Sequence, residues 1–307
     1  MKVLIGIDGS RGSFAAVRLA SRLLSPMEDR VALYYSPLDI RLSARGGASP
    51  EIVERARAAL TESVLQEGRD QLPEAMRARL ETIVGTKNPR QGIILAADAL
   101  RAELIVVGAT GKGKAARLFL GGVAKSVVHT ATVPVLVVRA IDDAPSPRPL
   151  RVLLAFDGSA ASRRAAPFLE RFTWPEGTEG RVMTVVTPFL AGEVPEWLEH
   201  RTRAPDVEVM AQAWVREHED ETRRKHDELA ELRRLLPQPF QASDGIVTEG
   251  HAAEQILDSI DREKIDLVVL GANSKSVIDR LLIGSTSDTI LSHANCSVLI
   301  VREQLQP

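Results

Sequence analysis

Asp8 and Asp157 each close an apolar run and precede a glycine and a serine: Val3-Leu4-Ile5-Gly6-Ile7-Asp8-Gly9-Ser10 and Val152-Leu153-Leu154-Ala155-Phe156-Asp157-Gly158-Ser159. A carboxylate at a strand end can cap the next helix or face a ligand, and Asp-Gly-Ser suits both roles. A second constellation is glycine-rich. Gly108-Ala109-Thr110-Gly111 is followed after nine residues by Gly121-Gly122-Val123, and Gly271-Ala272-Asn273-Ser274 after nine by Gly284-Ser285-Thr286. Glycine at a strand end permits positive φ and lets backbone N–H groups approach a ligand with no Cβ in the way. A helix that starts at the later glycines offers unpaired N–H groups and the positive end of its dipole, which favour an anion. Lys112, Lys114 and Arg117 lie between the first pair of cradles, and Lys275 and Arg280 between the second. The chemistry this spacing allows is the holding of a phosphate chain.

Both constellations occur twice because the chain repeats itself. Leu104–Ala109 matches Leu267–Ala272, and Pro134–Val138 matches Ser297–Val301. Such self-similarity marks a duplicated domain. The interval from Asp to Gly grows from 100 residues (Asp8 to Gly108) to 114 (Asp157 to Gly271), so the second copy carries 14 more, in a long charged helix. Apolar runs of strand length fall at Val3–Ile7, Val31–Tyr35, Thr82–Val84, Leu104–Gly108 and Pro134–Val138, with second-copy counterparts that include Val182–Thr187, Gly245–Thr248 and Asp266–Gly271. Ala16, Leu19, Ala20, Leu23 and Leu24 share one face of a helix, and further helices are expected at Pro89–Arg101 and Gly122–Thr130. Alternating strand and helix implies right-handed crossovers and a parallel sheet. The expectation is two tandem Rossmann-like domains, residues 1–143 and 151–307, each a five-stranded parallel sheet with helices on both faces. Residues 144–150, with Pro145, Pro147 and Pro149, are a stiff linker. Ligands of such sheets bind beyond the carboxyl ends of the strands, at the switch point of strand order.

Composition narrows the functions. With 44% hydrophobic and 26% charged residues over 307 positions, the chain has material for two ordinary cores. A formal charge of −2 argues against a general nucleic-acid binder. The lone Cys296 excludes a disulfide framework and a cysteine metal site. Five apolar residues before Asp8 are too few for a signal-peptide core or a membrane span, so a cytoplasmic address is expected.

The full combination resembles the universal stress protein family in its tandem form: a strand-one Asp, G-x-x-G, nine residues, then G-[S/T] before a helix and a final P-V-L-V-V strand. The resemblance covers nearly the whole chain apart from the linker and the inserted helix. It implies an adenine-nucleotide alpha-hydrolase-like fold that binds ATP, with the strand-one Asp near the adenine side and the glycine loop around ribose and phosphates; Mg2+ could accompany the phosphates. Carried over, the first site comprises Asp8, Gly9, Ser36, Gly108, Gly111, Gly121, Gly122 and Val123, and the second Asp157, Gly271, Ser274, Gly284, Ser285 and Thr286. Two departures stand out. Gly122 occupies the Ser/Thr position, which removes a hydroxyl but keeps an N–H. Ser274 occupies that of the second glycine, at a cost of about 1 kcal/mol if positive φ is required there. The first site is therefore expected to bind ATP and the second to bind more weakly or to bind something else. The final strands resemble the edges through which single-domain members dimerise, so an intrachain pseudo-dimer is expected, with association of two chains left open.

Other signals carry less. Gly111–Ala116 matches G-x-G-x-x-G/A but follows the fourth strand, and no Walker loop or Ser-Gly-Gly loop occurs. His218 and His226 lie in a charged helix with spacing unlike H-E-x-x-H, which reads as a solvated face, while Leu229, Leu232 and Leu236 form its buried stripe. His129 and His251 show no nucleophile beside them, so no catalytic or metal residue is assigned. The expected function is nucleotide-dependent regulation toward a protein partner the sequence does not name. The alternatives are a slow ATP hydrolase relying on Asp8 and a nucleotide-free interaction module.

Overall fold

The computed structural model of the chain describes residues 1–37, 49–86, 88–111, 120–139, 148–186, 205–272 and 283–302. The first half runs β1 (Lys2–Ile7), α1 (Arg11–Leu23), β2 (Arg30–Tyr35), α2 (Pro50–Asp70), α3 (Glu74–Arg77), β3 (Glu81–Val84), α4 (Pro89–Leu100), β4 (Leu104–Gly108), α5 (Gly122–Thr130) and β5 (Val135–Val138). The second runs β6 (Arg151–Ala155), α6 (Ala160–Arg163), α7 (Ala165–Leu169), β7 (Glu179–Val186), α8 (Pro205–Arg234), β8 (Ile246–Glu249), α9 (Ala252–Glu263), β9 (Leu267–Gly271), α10 (Ser285–His293) and β10 (Ser297–Val301).

All ten strands form one sheet in the order β3-β2-β1-β4-β5-β10-β9-β6-β7-β8. Within each half every pairing is parallel, and the order reverses between β1 and β4 and between β6 and β9. The halves meet where β5 pairs antiparallel with β10, Leu136 opposite Leu299. The expected pairing of the two final strands within one chain is thus present, and among the described residues β3 and β8 form the sheet's outer edges.

Unbroken apolar strands are what a sheet covered on both faces requires. Val3, Ile5, Leu136, Val152, Leu154 and Leu299 point to one face, where α1, α2, α7 and α8 pack. Leu4, Ile105, Val135, Val137, Leu153 and Val298 point to the other, under α4, α5, α9 and α10. Each core runs continuously through both halves. Burying one such side chain stabilises by roughly 1.5–3 kcal/mol.

The two copies are not identical. The helix that is continuous as α1 is interrupted in the second copy, where α6 ends at Arg163 and α7 begins at Ala165. Pro167 accounts for this, since it lacks an N–H and its ring crowds the carbonyl four residues earlier, that of Arg163. Leu229, Leu232 and Leu236 of the α8 region are buried as expected. His218 lies on the solvated face as expected, in an exposed contact with Glu249 on β8, its Nε2 2.7 Å from the carboxylate. Residues 144–147 of the expected linker lie outside the described residues.

A reciprocal pair of arginines fastens the seam. Arg139, just past β5, donates to the Leu291 carbonyl at 2.8 Å, in the last turn of α10. Arg302, just past β10, donates to the carbonyls of Ala131 (3.1 Å) and Val128 at the end of α5. Each half thus satisfies helix C-terminal carbonyls of the other. Replacing Arg302 by Ala leaves two carbonyls without that donor and is expected to cost about 2 kcal/mol. Urea unfolding of the full chain measures it, and an unchanged midpoint would count against the clamp.

Candidate functional site

Asp8 and Asp157 sit where their strands end, and each opens a turn into a helix. Asp8 Oδ1 accepts from the Ser10 N–H at 3.0 Å, Gly9 takes φ +82°, and Ser10 Oγ caps α1 by accepting from Ser13 N–H at 3.2 Å. The second copy repeats this with Ser159 N–H to Asp157 Oδ1 at 2.9 Å, Gly158 at φ +78° and Ser162 N–H to Ser159 Oγ at 3.1 Å. The helix cap is therefore the serine; the aspartate holds the turn with one oxygen. Only glycine enters these left-handed positions at no steric cost.

The copies then differ. Ser13 Oγ accepts from the Asp8 backbone N–H and donates to the Ser10 carbonyl, which leaves the Asp8 carboxylate without that hydroxyl. Its counterpart Ser162 Oγ keeps the equivalent contact with the Ser159 carbonyl at 3.0 Å and in addition reaches Asp157 Oδ1 at 2.7 Å. Burial alone would push the Asp157 carboxyl up; the hydrogen bonds from Ser159 and Ser162 outweigh it and hold the group below the usual carboxylate range.

Gly108 ends β4 with no positive φ, contrary to one of the two reasons expected for it; close approach is the reason that operates. A Cβ there would lie 2.7 Å from the Gly12 carbonyl carbon and 2.9 Å from Ser13 N. Gly271 is squeezed in the same way, its Cβ position 2.5 Å from Ser162 N. Gly111, again without positive φ, presses on the first aspartate: its Cβ would fall 2.6 Å from Asp8 Oδ2. This changes the expectation for Ser274, which lies outside the described residues. At the matching first-copy position the objection to a Cβ is a carboxylate, not the backbone angle.

At the start of α5, Gly121 spends its N–H on the Ala109 carbonyl at 2.7 Å, so it is no phosphate donor. Gly122, Val123 and Ala124 open the helix, and no side chain caps it. In the second copy Gly284 takes φ +48° with open space where its Cβ would point, and Ser285 and Thr286 open α10. Ser36 follows β2 and is half-buried. The neighbouring Tyr35 is buried close enough to Asp8 to feel it: burial pushes its hydroxyl up, and the carboxylate charge adds to that.

In the first half the structure thus brings together Asp8, Gly9, Gly108 and Gly111, with Gly121 tied to the same loop. In the second it brings together Asp157, Gly158 and Gly271. Lys112, Lys114, Arg117, Lys275 and Arg280 lie outside the described residues. Two first-half residues were not singled out from sequence. Gly12 has its Cβ position 2.5 Å from the Thr110 carbonyl oxygen, and Arg90, at the start of α4, reaches the Cβ position of Gly122 with a guanidinium nitrogen at 2.6 Å. Comparing the copies would have exposed both, because they align with Ala161 and Ala253. Cys296 is buried and its thiol is pushed up to about 12, chiefly by that burial, which removes it as a nucleophile at neutral pH. Among the described residues no helix is long and apolar enough to cross a membrane.

Two predictions follow from this packing. Gly108→Ala drives a methyl into backbone and is expected to destabilise by about 2 kcal/mol, read as a lower urea midpoint; an unchanged midpoint would show that α1 has room to retreat. Asp157, with its pKa depressed on folding, stabilises the native state at neutral pH, and that contribution fades as pH falls from about 4 through the lower native value. Between about pH 6 and pH 3 the wild type should therefore lose more stability than Asp157→Asn. Equal losses in thermal melts would refute this.

The universal stress protein family model matches the chain twice, over residues 1–139 and 150–302. A universal stress protein of Mycolicibacterium smegmatis is 26% identical over 305 residues, spanning 98% of this chain and 96% of its own length. One from Mycobacterium tuberculosis is 24% identical over 318 residues, spanning 99% and 97%. The crystal structure of a universal stress protein from Archaeoglobus fulgidus superposes with a TM-score of 0.58 over 98% of this chain and 96% of its own, at 18% identity, which speaks for the fold. With both halves matched and both switch points built alike, the chain belongs to the universal stress protein family.

Proposed function

We propose that the first half of this universal stress protein binds ATP and that occupancy, not turnover, is its working output. The observation that carries the reading is the closure of the Gly108–Gly111 loop on Asp8. Gly111 leaves Oδ2 uncovered by any Cβ, while Oδ1 is held by Ser10 N–H. A fixed acceptor at one end of a switch-point cleft suits an amine or hydroxyl of a nucleoside. The uncapped start of α5 at the other end suits its phosphates. Mg2+, if it accompanies the nucleotide, would add charge neutralisation along the phosphates. Regulation requires only that ATP prefer one conformation of the chain over another.

The second half supports a weaker site. Asp157 already accepts the Ser162 hydroxyl. Ala161 places a methyl where Gly12 leaves 2.5 Å for a loop carbonyl. A nucleotide-free role for this half follows naturally from those two features.

Calorimetric titration of ATP into Asp8→Ala and Asp157→Ala variants tests the ranking. Asp8→Ala should lose the tighter site, a change of at least tenfold for a charge-assisted contact; loss confined to Asp157→Ala would reverse it. A steady-state ATPase assay with an Asp8→Asn control tests the output. Turnover near the 1–100 s⁻¹ of ordinary kinases, abolished by the substitution, would make the protein an enzyme instead.

A further inference from the structure

Gly122 stands where the family pattern calls for a hydroxyl, and the structure shows what uses the space. A Cβ built on Gly122 would sit 2.6 Å from Arg90 Nη2 and 3.4 Å from Cζ. The guanidinium therefore lies over the first residue of α5, in the volume that a serine side chain would claim. Arg90 is placed there by its own helix. Pro89 and Arg90 open α4, Asn88 caps it, and Arg90 N–H is held by Asn88 Oδ1 at 2.9 Å. Two helix starts and a planar cation thus meet at one point on the carboxyl edge of the sheet. The second copy holds the complementary arrangement, with Ser285 opening α10 and Ala253 in place of the arginine. The cation goes with the glycine and the hydroxyl with the alanine.

We infer that Arg90 and Gly122 form a compensating pair that makes the first site selective for nucleotides carrying a polyphosphate chain. This rests on the nucleotide-binding reading above. A guanidinium presents a rigid fork of donors that matches phosphate oxygens two at a time, which a single hydroxyl cannot do. Asp8 at the other end of the cleft repels phosphate, so the pair also orients the ligand, with its uncharged end toward the carboxylate. The specificity belongs to this chain's first half alone, because Ala253 leaves the second with no equivalent cation at that position.

The test is calorimetric titration of the full chain with ATP and, separately, with adenosine. Arg90→Ala is expected to weaken ATP about tenfold while leaving adenosine within about twofold, and Arg90→Lys to fall between. The diagnostic result is a reversal of sign. Gly122→Ser alone should weaken ATP by displacing the guanidinium, whereas in the Arg90→Ala background it should strengthen ATP by supplying a hydroxyl to vacant space. Loss of ATP and adenosine binding in equal proportion in Arg90→Ala, or the same sign for Gly122→Ser in both backgrounds, overturns the pairing. A wild-type chain that binds neither ATP nor adenosine overturns the nucleotide reading itself, a result separable from the other two.

Discussion

The site depends on one steric fact: the end of the fourth strand of each half lies against the first turn of that half's first helix, closer than any side chain allows. Gly108 meets Gly12 and Ser13, and Gly271 meets Ala161 and Ser162, with Cβ positions well under 3 Å from backbone atoms. That approach brings the helix start, the aspartate turn and the glycine loop into one place. Without it the β1 and β4 ends would still be neighbours, but the Gly108–Gly111 loop would not reach Asp8. The cores on both faces of the ten-stranded sheet hold the strand ends rigidly enough for such a contact to persist.

Because the chain contains the arrangement twice, each difference between the copies reads as a substitution made on a common frame. Gly12 has become Ala161, Ser13's freedom from the carboxylate has become a Ser162–Asp157 hydrogen bond, and the Arg90–Gly122 pair has become Ala253 and Ser285. The first two changes both fall on the helix start beside the second aspartate, which keeps its exposure while accepting the Ser162 hydroxyl. The seam between β5 and β10, with Arg139 and Arg302 reaching across it, ties α5 of one half to the last strand of the other. Whatever shifts α5 is therefore felt through carbonyls that the opposite half satisfies.

Much of this was legible in the chain itself. Strands with no polar interruption, such as Val3–Ile7, declare burial on both faces, and the duplication gave each element of one half a counterpart in the other. Helix α2 was harder. It is capped by Ser49 with Pro50 at its start, yet only Val64, Leu65 and Gly68 are buried while Ile52 and Leu60 are exposed, so its apolar pattern is weak. The interruption between α6 and α7 was available in Pro167. The glycines taught a subtler lesson: their positions were readable, but whether they serve a positive φ or a close approach depends on what packs against them. Sequence cannot show that Asp8 Oδ2 or Arg90 is the neighbour, since those contacts join segments far apart in the chain.

The most direct test of the central claim is a crystal structure of the full chain grown with excess ATP. A nucleotide is expected in the first half, its phosphates on the amides that open α5 beside Arg90 and its nucleoside end at Asp8. A nucleotide seated only in the second half, or a first-half cleft closed by its own side chains, would contradict it.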